Sequence, residues 1–176
     1  VLYGDYNPSG KLPMTFPRSL GQIPIYYNYK STGRPNGNNV FWSHYLDEKK
    51  TPLYPFGHGL SYTSFSYNNL KINKVNNREV KISVNLTNTG KVKGKEVAQL
   101  YIHDLFASVT RPVRELKGFK LIQLNPSETK IIHFTLTEKE LGFYDNKGTF
   151  VIEPGKFEVF VGGSSDAKLA QKFTLE

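Results

Sequence analysis

The chain of 176 residues carries 23 Lys and Arg against 15 Asp and Glu, a formal net charge of +8, and it contains no Cys. Without Cys, the chain can form no disulfide, thiolate nucleophile or cysteine metal site. The basic residues are scattered, with no run of four or more, so the positive charge does not predict a nucleic-acid partner. No stretch reaches the roughly 20 apolar residues that span a bilayer, so no membrane span is predicted.

The first 64 residues are rich in Pro, Gly and Tyr and have little periodic apolar content. Within them, only residues 12–16 and 23–27 fit short strands. Irregular backbone of this kind cannot build its own core, so we expect residues 1–64 to dock against another part of a protein. The opening stretch VLYGDYNPSGKLPMTFPRS has no initiating Met and fits the close of an element, so we expect a fragment of a longer protein.

From residue 65 onward, apolar and polar residues alternate over short runs that end in turn signals. This pattern predicts strands at 80–86, 96–103, 116–124, 130–136, 157–161 and 171–175. About seven short strands at regular spacing are typical of a two-sheet sandwich of the immunoglobulin or fibronectin type III kind. We therefore predict a mainly β fold, with a β-sandwich at 65–176 preceded by an irregular segment. Residues 137–141 fit a single helical turn with Thr137 as its cap and Glu140 three residues on.

The residue types that carry chemistry do not form a catalytic or metal-binding pattern. The four histidines, at positions 44, 58, 103 and 133, are not paired at metal-ligand spacing, so neither a metal nor a cofactor is predicted. Glycoside hydrolysis needs two carboxyl groups about 5 to 10 Å apart across a sugar site. The acidic residues instead fall in loops and on strand surfaces, and no catalytic residue is predicted.

Aromatic residues concentrate in the irregular first segment, where Trp42 and Tyr45 are neighbours in the sequence. Flat aromatic rings stack well on the apolar faces of sugars, which makes these two residues candidates for a sugar-binding surface. The alternative is that such rings anchor the segment to a neighbouring domain, as large aromatics commonly do at interfaces.

Two motifs of the first segment, NPSGKLPMTFP at 7–17 and YPFGHGLSYTSF at 54–65, resemble landmark motifs late in glycoside hydrolase family 3 β-glucosidases. Further along, VAQLY at 97–101, RPVRELKGF at 111–119 and EPG at 153–155 are similar to the C-terminal fibronectin type III-like domain of that family. The resemblance covers essentially the whole chain, with its motifs in the family's order.

The resemblance implies that both catalytic groups of a retaining exo-acting enzyme lie upstream of the Asn-Pro-Ser-Gly motif. The family carries its nucleophilic Asp in a barrel and usually its acid/base Glu in an α/β sandwich domain, so Asp5 is not predicted to be the nucleophile. Residues 1–64 then correspond to the end of the α/β sandwich domain plus a linker, and 65–176 to the C-terminal domain. Trp42 and Tyr45 become candidates for lining an outer sugar subsite.

The implied partners are the upstream catalytic domains of the same protein and, through them, an oligosaccharide or glucoside with a terminal β-linked glucose. The family also suggests a periplasmic or extracellular location. The alternative function is a stand-alone fibronectin type III-like module that binds carbohydrate or protein. Such a module would have no use for the first sixty residues, whereas a docked segment would.

Overall fold

The computed structural model describes residues 1–31, 45 and 47–176. The strands in this part of the chain are β1 (Phe65–Asn76), β2 (Glu79–Asn88), β3 (Gly94–Asp104), β4 (Glu115–Leu124), β5 (Thr129–Leu136), β6 (Phe143–Tyr144), β7 (Phe150–Val151), β8 (Gly155–Gly162) and β9 (Leu169–Leu175). The helical elements are a short 3-10 helix, Leu20–Gln22, and one turn of α-helix, α1 (Glu138–Leu141).

The strands form two facing sheets, which confirms the predicted sandwich. One sheet has three strands in the order β1, β2, β5, and the other has four in the order β4, β3, β8, β9. All of these neighbours pair antiparallel, and β6 and β7 form a separate small ribbon. Side chains at alternate positions enter the core between the sheets, among them Val80, Ile82, Val84, Leu86, Ala98, Leu100, Ile102, Phe157, Val159 and Val161. Their burial supplies the main stabilisation of the sandwich.

The predicted strands at 80–86, 96–103, 116–124, 130–136, 157–161 and 171–175 are all present, as β2, β3, β4, β5, β8 and β9. Strand β1 was not predicted as a separate strand because it is a polar edge strand whose pairing with β2 is interrupted by irregularities. The helical turn is also confirmed, and the Glu140 carboxylate accepts hydrogen bonds from the Thr137 backbone N–H at 2.8 Å and from its hydroxyl at 2.6 Å.

The two strands predicted in the first segment are wrong. Residues 12–16 and 23–27 are irregular, and the pairing of this region consists of the isolated bridges Phe16 to Tyr54 and Lys30 to Pro112. Prolines are the reason, since Pro13, Pro17 and Pro24 lack the N–H that a continuous ladder needs. Residues 12–16 still follow the 54–58 stretch through separate backbone hydrogen bonds.

Candidate functional site

The main feature outside the core is the junction between residues 1–64, here called the tail, and the sandwich, including the outer face of the four-stranded sheet. Gln99 and Tyr101 lie on this face because they alternate along β3 with the core residues Leu100 and Ile102. Both are buried, although no part of the opposite sheet covers them. The tail covers them instead. The junction is therefore a second buried interface, separate from the core between the two sheets.

A buried ion pair joins the tail to the sandwich. The Lys11 Nζ lies 3.0 and 3.1 Å from the two Glu96 carboxylate oxygens, and both side chains are largely buried. The Tyr67 hydroxyl donates a further hydrogen bond of 3.0 Å to the same carboxylate. Burial raises the pKa of Tyr67, and the negative charge of Glu96 raises it further. The carboxylate is therefore fully engaged in holding one lysine and one tyrosine.

Gln99 forms the second attachment point of the tail. Its side-chain amide donates to the Gly57 carbonyl at 3.1 Å and to the Gly163 carbonyl at 2.7 Å, and its oxygen accepts from the Tyr101 hydroxyl at 2.5 Å. Gly57 has φ +78°, and a Cβ added to it would lie 2.1 Å from the Gln99 Oε1. Only glycine combines this left-handed backbone with so close an approach.

Stacked aromatic rings extend the junction. The Tyr27 ring stacks on Phe56 with centroids 4.3 Å apart and meets the Tyr101 ring edge-on at 5.9 Å. The Phe56 carbonyl accepts a hydrogen bond of 2.9 Å from the Ser165 backbone N–H. Burial raises the pKa of Tyr101, so this hydroxyl remains a hydrogen-bond donor at neutral pH. These rings and backbone groups fix the middle of the tail over the centre of the sheet.

A cleft of about 550 Å³ opens at the same junction, beside the ion pair. Its lining mixes polar and apolar side chains, and the polar ones include Lys11, His58, Tyr67, Glu96 and Lys168. Among the described residues that line it, Glu96 is the only carboxylate, and Lys11 already neutralises it. Since glycoside hydrolysis requires two carboxyl groups, this cleft does not provide the acid/base pair of a glycosidase.

Carboxylates that the sequence offered elsewhere hold turns and loops in place. Glu128 accepts a hydrogen bond of 2.6 Å from the Asn125 backbone N–H, and Glu153 accepts one of 2.8 Å from that of Ser108. Glu115 pairs with Arg111 at 2.7 Å. Across the described ranges, no group of three or more His, Asp or Glu is arranged to hold a metal ion.

Of the two aromatic candidates for a sugar subsite, the structure describes only Tyr45. Trp42 lies outside the described residues. Tyr45 is 56% exposed, and its ring lies against the backbone of Gly21, where an added Cβ would come within 3.0 Å of the ring. An exposed ring of this kind is available for stacking, and its proposed role in sugar binding stays a prediction.

Sequence reasoning missed the residues that build the junction, namely Lys11, Glu96 and Gln99. A usable signal was present: Glu96 and Gln99 interrupt the apolar pattern of a strand that runs through the centre of the sheet. Polar groups at such positions must be hydrogen-bonded when they are buried, which indicates a covering segment with matching groups.

Known proteins resemble this chain over nearly its whole length. Residues 1–62 match the sequence model of the glycosyl hydrolase family 3 C-terminal domain, and residues 96–165 match that of the fibronectin type III-like domain. A periplasmic β-glucosidase from Salmonella typhimurium is 48% identical over 171 residues, a match that covers 94% of this chain and 22% of that protein. A β-xylosidase from Formosa agariphila is 46% identical, with 95% of this chain and 23% of that protein covered.

Solved structures show the same relationship. The structure of a β-glucosidase from Erythrobacter marinus matches 100% of this chain with a TM-score of 0.91 at 40% identity, and the match covers 23% of that chain. This chain therefore spans less than a quarter of the length of the relatives that it matches.

Proposed function

We propose that the chain is the non-catalytic C-terminal portion of a retaining, exo-acting β-glucosidase-like enzyme of glycosyl hydrolase family 3. In this proposal the parent protein hydrolyses terminal β-linked glucose from oligosaccharides or glucosides. The chain itself supports the catalytic domains and contributes no catalytic group. The proposed division is a tail at 1–64, which ends the α/β sandwich domain, and a fibronectin type III-like domain at 65–176.

The observation that carries the proposal is that the tail is fixed to the sandwich and still exposes large apolar side chains. It is fixed by the ion pair, by Gln99 and by the aromatic stack. Its exposed apolar side chains include Leu2, Tyr3 and Leu20, each with at least 86% of its surface accessible. A concentration of exposed apolar residues indicates a surface that another protein region covers. The upstream domains of the same polypeptide are the region that the family architecture supplies.

Chemistry in the parent would follow the retaining pathway, in which one carboxylate attacks the anomeric carbon while a second protonates the leaving oxygen. Both carboxylates would come from the upstream domains. The contribution of this chain is to hold the tail in a fixed position against the sandwich, so that loops of the tail can approach the active site. We assign Trp42 and Tyr45 to an outer sugar subsite, where ring stacking would favour longer substrates.

We also propose a periplasmic or extracellular location, supported by the relative from Salmonella typhimurium that is named as periplasmic. Within the residues that the structure describes, no helix is both long and apolar enough to cross a membrane.

The second candidate function is a stand-alone module that binds carbohydrate or protein. Its sandwich would need no tail, yet here the tail supplies the partner for buried Glu96 and for the amide of Gln99. Removing the tail would leave both groups buried or newly exposed without their partners, which favours the docked arrangement.

A direct comparison of the isolated chain with the full-length parent protein tests the proposal. Both would be assayed on an aryl β-glucoside and on an aryl β-xyloside, since the relatives include enzymes named for each sugar. We expect hydrolysis by the full-length protein and none by the isolated chain, whose folded state circular dichroism would confirm. Hydrolysis by the isolated chain would contradict the proposal.

A further inference from the structure

The cleft between the tail and the sandwich, here called the junction cleft, carries an excess of positive charge that the proposed function does not use. Lys11, Lys95 and Lys168 line it, and Glu96 is the one carboxylate among the described residues of its lining. Its volume of about 550 Å³ lies within the range of about 300 to 1,000 Å³ that is usual for small-molecule sites. Three ammonium groups around one carboxylate favour an anion as the occupant.

Lys11 is held in place from several sides. Its Nζ lies 3.0 and 3.1 Å from the two Glu96 oxygens. A Cβ added to Gly163 would lie 2.4 Å from the Glu96 Oε1 and 3.4 Å from the Lys11 Nζ. One added to Gly59 would lie 2.8 Å from the Lys11 Cδ, so the backbone of both glycines packs directly against the ion pair. An ammonium has three N–H donors, so Lys11 retains a donor beyond the two that Glu96 takes.

The other two lysines of the junction cleft are available to a ligand. Within the part of the chain that the structure describes, the Lys95 side chain forms no hydrogen bond or ion pair. Lys168 pairs with Asp166 at 2.6 Å, but the two side chains are 80% and 66% exposed, and such surface pairs contribute little. A bound anion can therefore compete for both ammonium groups.

Hydroxyl groups complete the lining of the junction cleft. Five of them belong to serine and threonine side chains, namely Ser9, Ser61, Thr63, Ser64 and Ser164. Of these five, only Ser61 and Thr63 donate to another described residue. A hydroxyl can both donate and accept, so the remaining three complement the hydroxyl groups of a polyol. The lining thus matches a ligand that carries both a negative charge and several hydroxyl groups.

A second cleft, of about 330 Å³ at the opposite end of the sandwich, provides a contrast. Its charged lining consists of Arg78 with Glu138, Glu153 and Glu176, the reverse balance of charge. Arg78 already pairs with Glu138 at 2.8 Å. The excess of lysine is therefore particular to the junction cleft and does not simply follow from the net charge of +8.

We propose that the junction cleft binds a small polyhydroxylated anion, whose charged group is held by Lys11, Lys95 and Lys168. A sugar acid, with its carboxylate, and a sugar phosphate share this chemistry. The tail supplies Lys11 and Ser9, whereas the sandwich supplies Lys95 and Lys168, so a bound ligand would bridge the two and stabilise the junction. The inference goes beyond the proposed function and is independent of it, because it uses no upstream domain and no catalytic group.

Calorimetric titration of the chain with D-glucuronate, glucose 6-phosphate, D-glucose and inorganic phosphate, at constant ionic strength, tests the proposal. We expect D-glucuronate or glucose 6-phosphate to bind at least about tenfold more tightly than D-glucose and than inorganic phosphate. The tighter of the two identifies the charged group as a carboxylate or a phosphate. D-Glucose binding as tightly as both anions would overturn the proposal, as would a lack of binding by all four compounds. Inorganic phosphate binding as tightly as glucose 6-phosphate would also overturn it, because it would indicate an adventitious ion only.

A pair of double variants locates the site. Lys95→Gln with Lys168→Gln removes two charges from the junction cleft and leaves the buried ion pair intact. Lys156→Gln with Lys172→Gln removes two charges from exposed positions that do not line the cleft. We expect the first pair to weaken binding of the preferred anion at least about tenfold and the control pair to change it less than about twofold. The preferred anion should also raise the Tm of the unsubstituted chain more than that of the first double variant. Equal affinities in the two double variants would overturn the proposal.

Discussion

The Lys11 Nζ lies 3.0 Å from the Glu96 Oε2, in an ion pair that joins the tail to the centre of the sandwich across 85 residues of sequence. Neither residue has an evident role when its own motif is considered alone. Together they neutralise each other in a site that water reaches poorly. Each buried charge therefore needs the other, so the position of the tail and the structure of the sheet depend on each other. The pair is therefore the natural point at which to test whether the tail and the sandwich behave as one unit.

We expect Glu96→Gln to lower the free energy of unfolding of the isolated chain by about 2 to 4 kcal/mol, because it leaves Lys11 buried without its counter-ion. Denaturation in urea measures this loss. The control is Asp166→Ala, which removes the exposed pair with Lys168 and should cost less than about 1 kcal/mol. Similar small losses in both variants would show that the buried pair does not hold the tail.

Gly57→Ala should destabilise the chain by about 2 to 4 kcal/mol, because it combines a left-handed backbone with a clash against Gln99. Gly148 provides the matched control, since its φ of +76° is nearly the same but an added Cβ would meet no atom within 4 Å. We expect Gly148→Ala to cost only about 1 to 2 kcal/mol, the strain of the backbone alone. Equal losses in urea denaturation would mean that the contact with Gln99 contributes nothing.

Asp104 makes the stability of the sandwich depend on pH. Burial raises its pKa from 3.8 to about 6, although the nearby charge of Arg111 and a hydrogen bond from the Phe106 backbone N–H oppose the rise. The folded chain therefore binds a proton that the unfolded chain releases between these two values. The contribution of this group to the free energy of unfolding falls as the pH rises from about 4 to about 6, and it is constant above that range.

Asn at position 104 cannot ionise. As the pH rises from about 4 to about 7, we therefore expect the free energy of unfolding of Asp104→Asn to increase by about 1 to 3 kcal/mol relative to that of the unsubstituted chain. Urea denaturation of both proteins across this range measures the difference, and contributions from other carboxylates cancel in it. A difference that does not change with pH would show that Asp104 titrates normally in the folded chain.

Trp42→Ala in the full-length protein should raise the KM for oligosaccharides more than the KM for an aryl glucoside, because only the longer substrate would reach an outer subsite. Tyr45→Ala should act in the same direction. A loss of one stacked ring typically costs about 1 to 3 kcal/mol, which corresponds to a roughly five- to 150-fold change in KM. Equal changes for the two substrates would contradict the assignment of these rings to a subsite.

Much of the sandwich could be predicted from sequence because its strands obey a local rule. A half-buried strand must alternate apolar and polar residues, and β2 and β5 do so at nearly every position, with turn residues marking where each strand ends. Strand β1 escaped the prediction because an edge strand faces solvent on more of its surface, and its polar residues and irregular pairing obscure the alternation. The two strands expected in the tail failed because prolines interrupt the backbone ladder.

The sequence by itself determined the sandwich, the helical turn at Thr137 and the absence of a cysteine framework, since each depends on residue types at short spacing. Through its motifs, it also indicated the family. Only the tertiary structure decided that Lys11 meets Glu96 and that Gln99 holds Gly57. These relationships join residues far apart in the chain, and no local pattern specifies which buried group will meet which partner once both are removed from water.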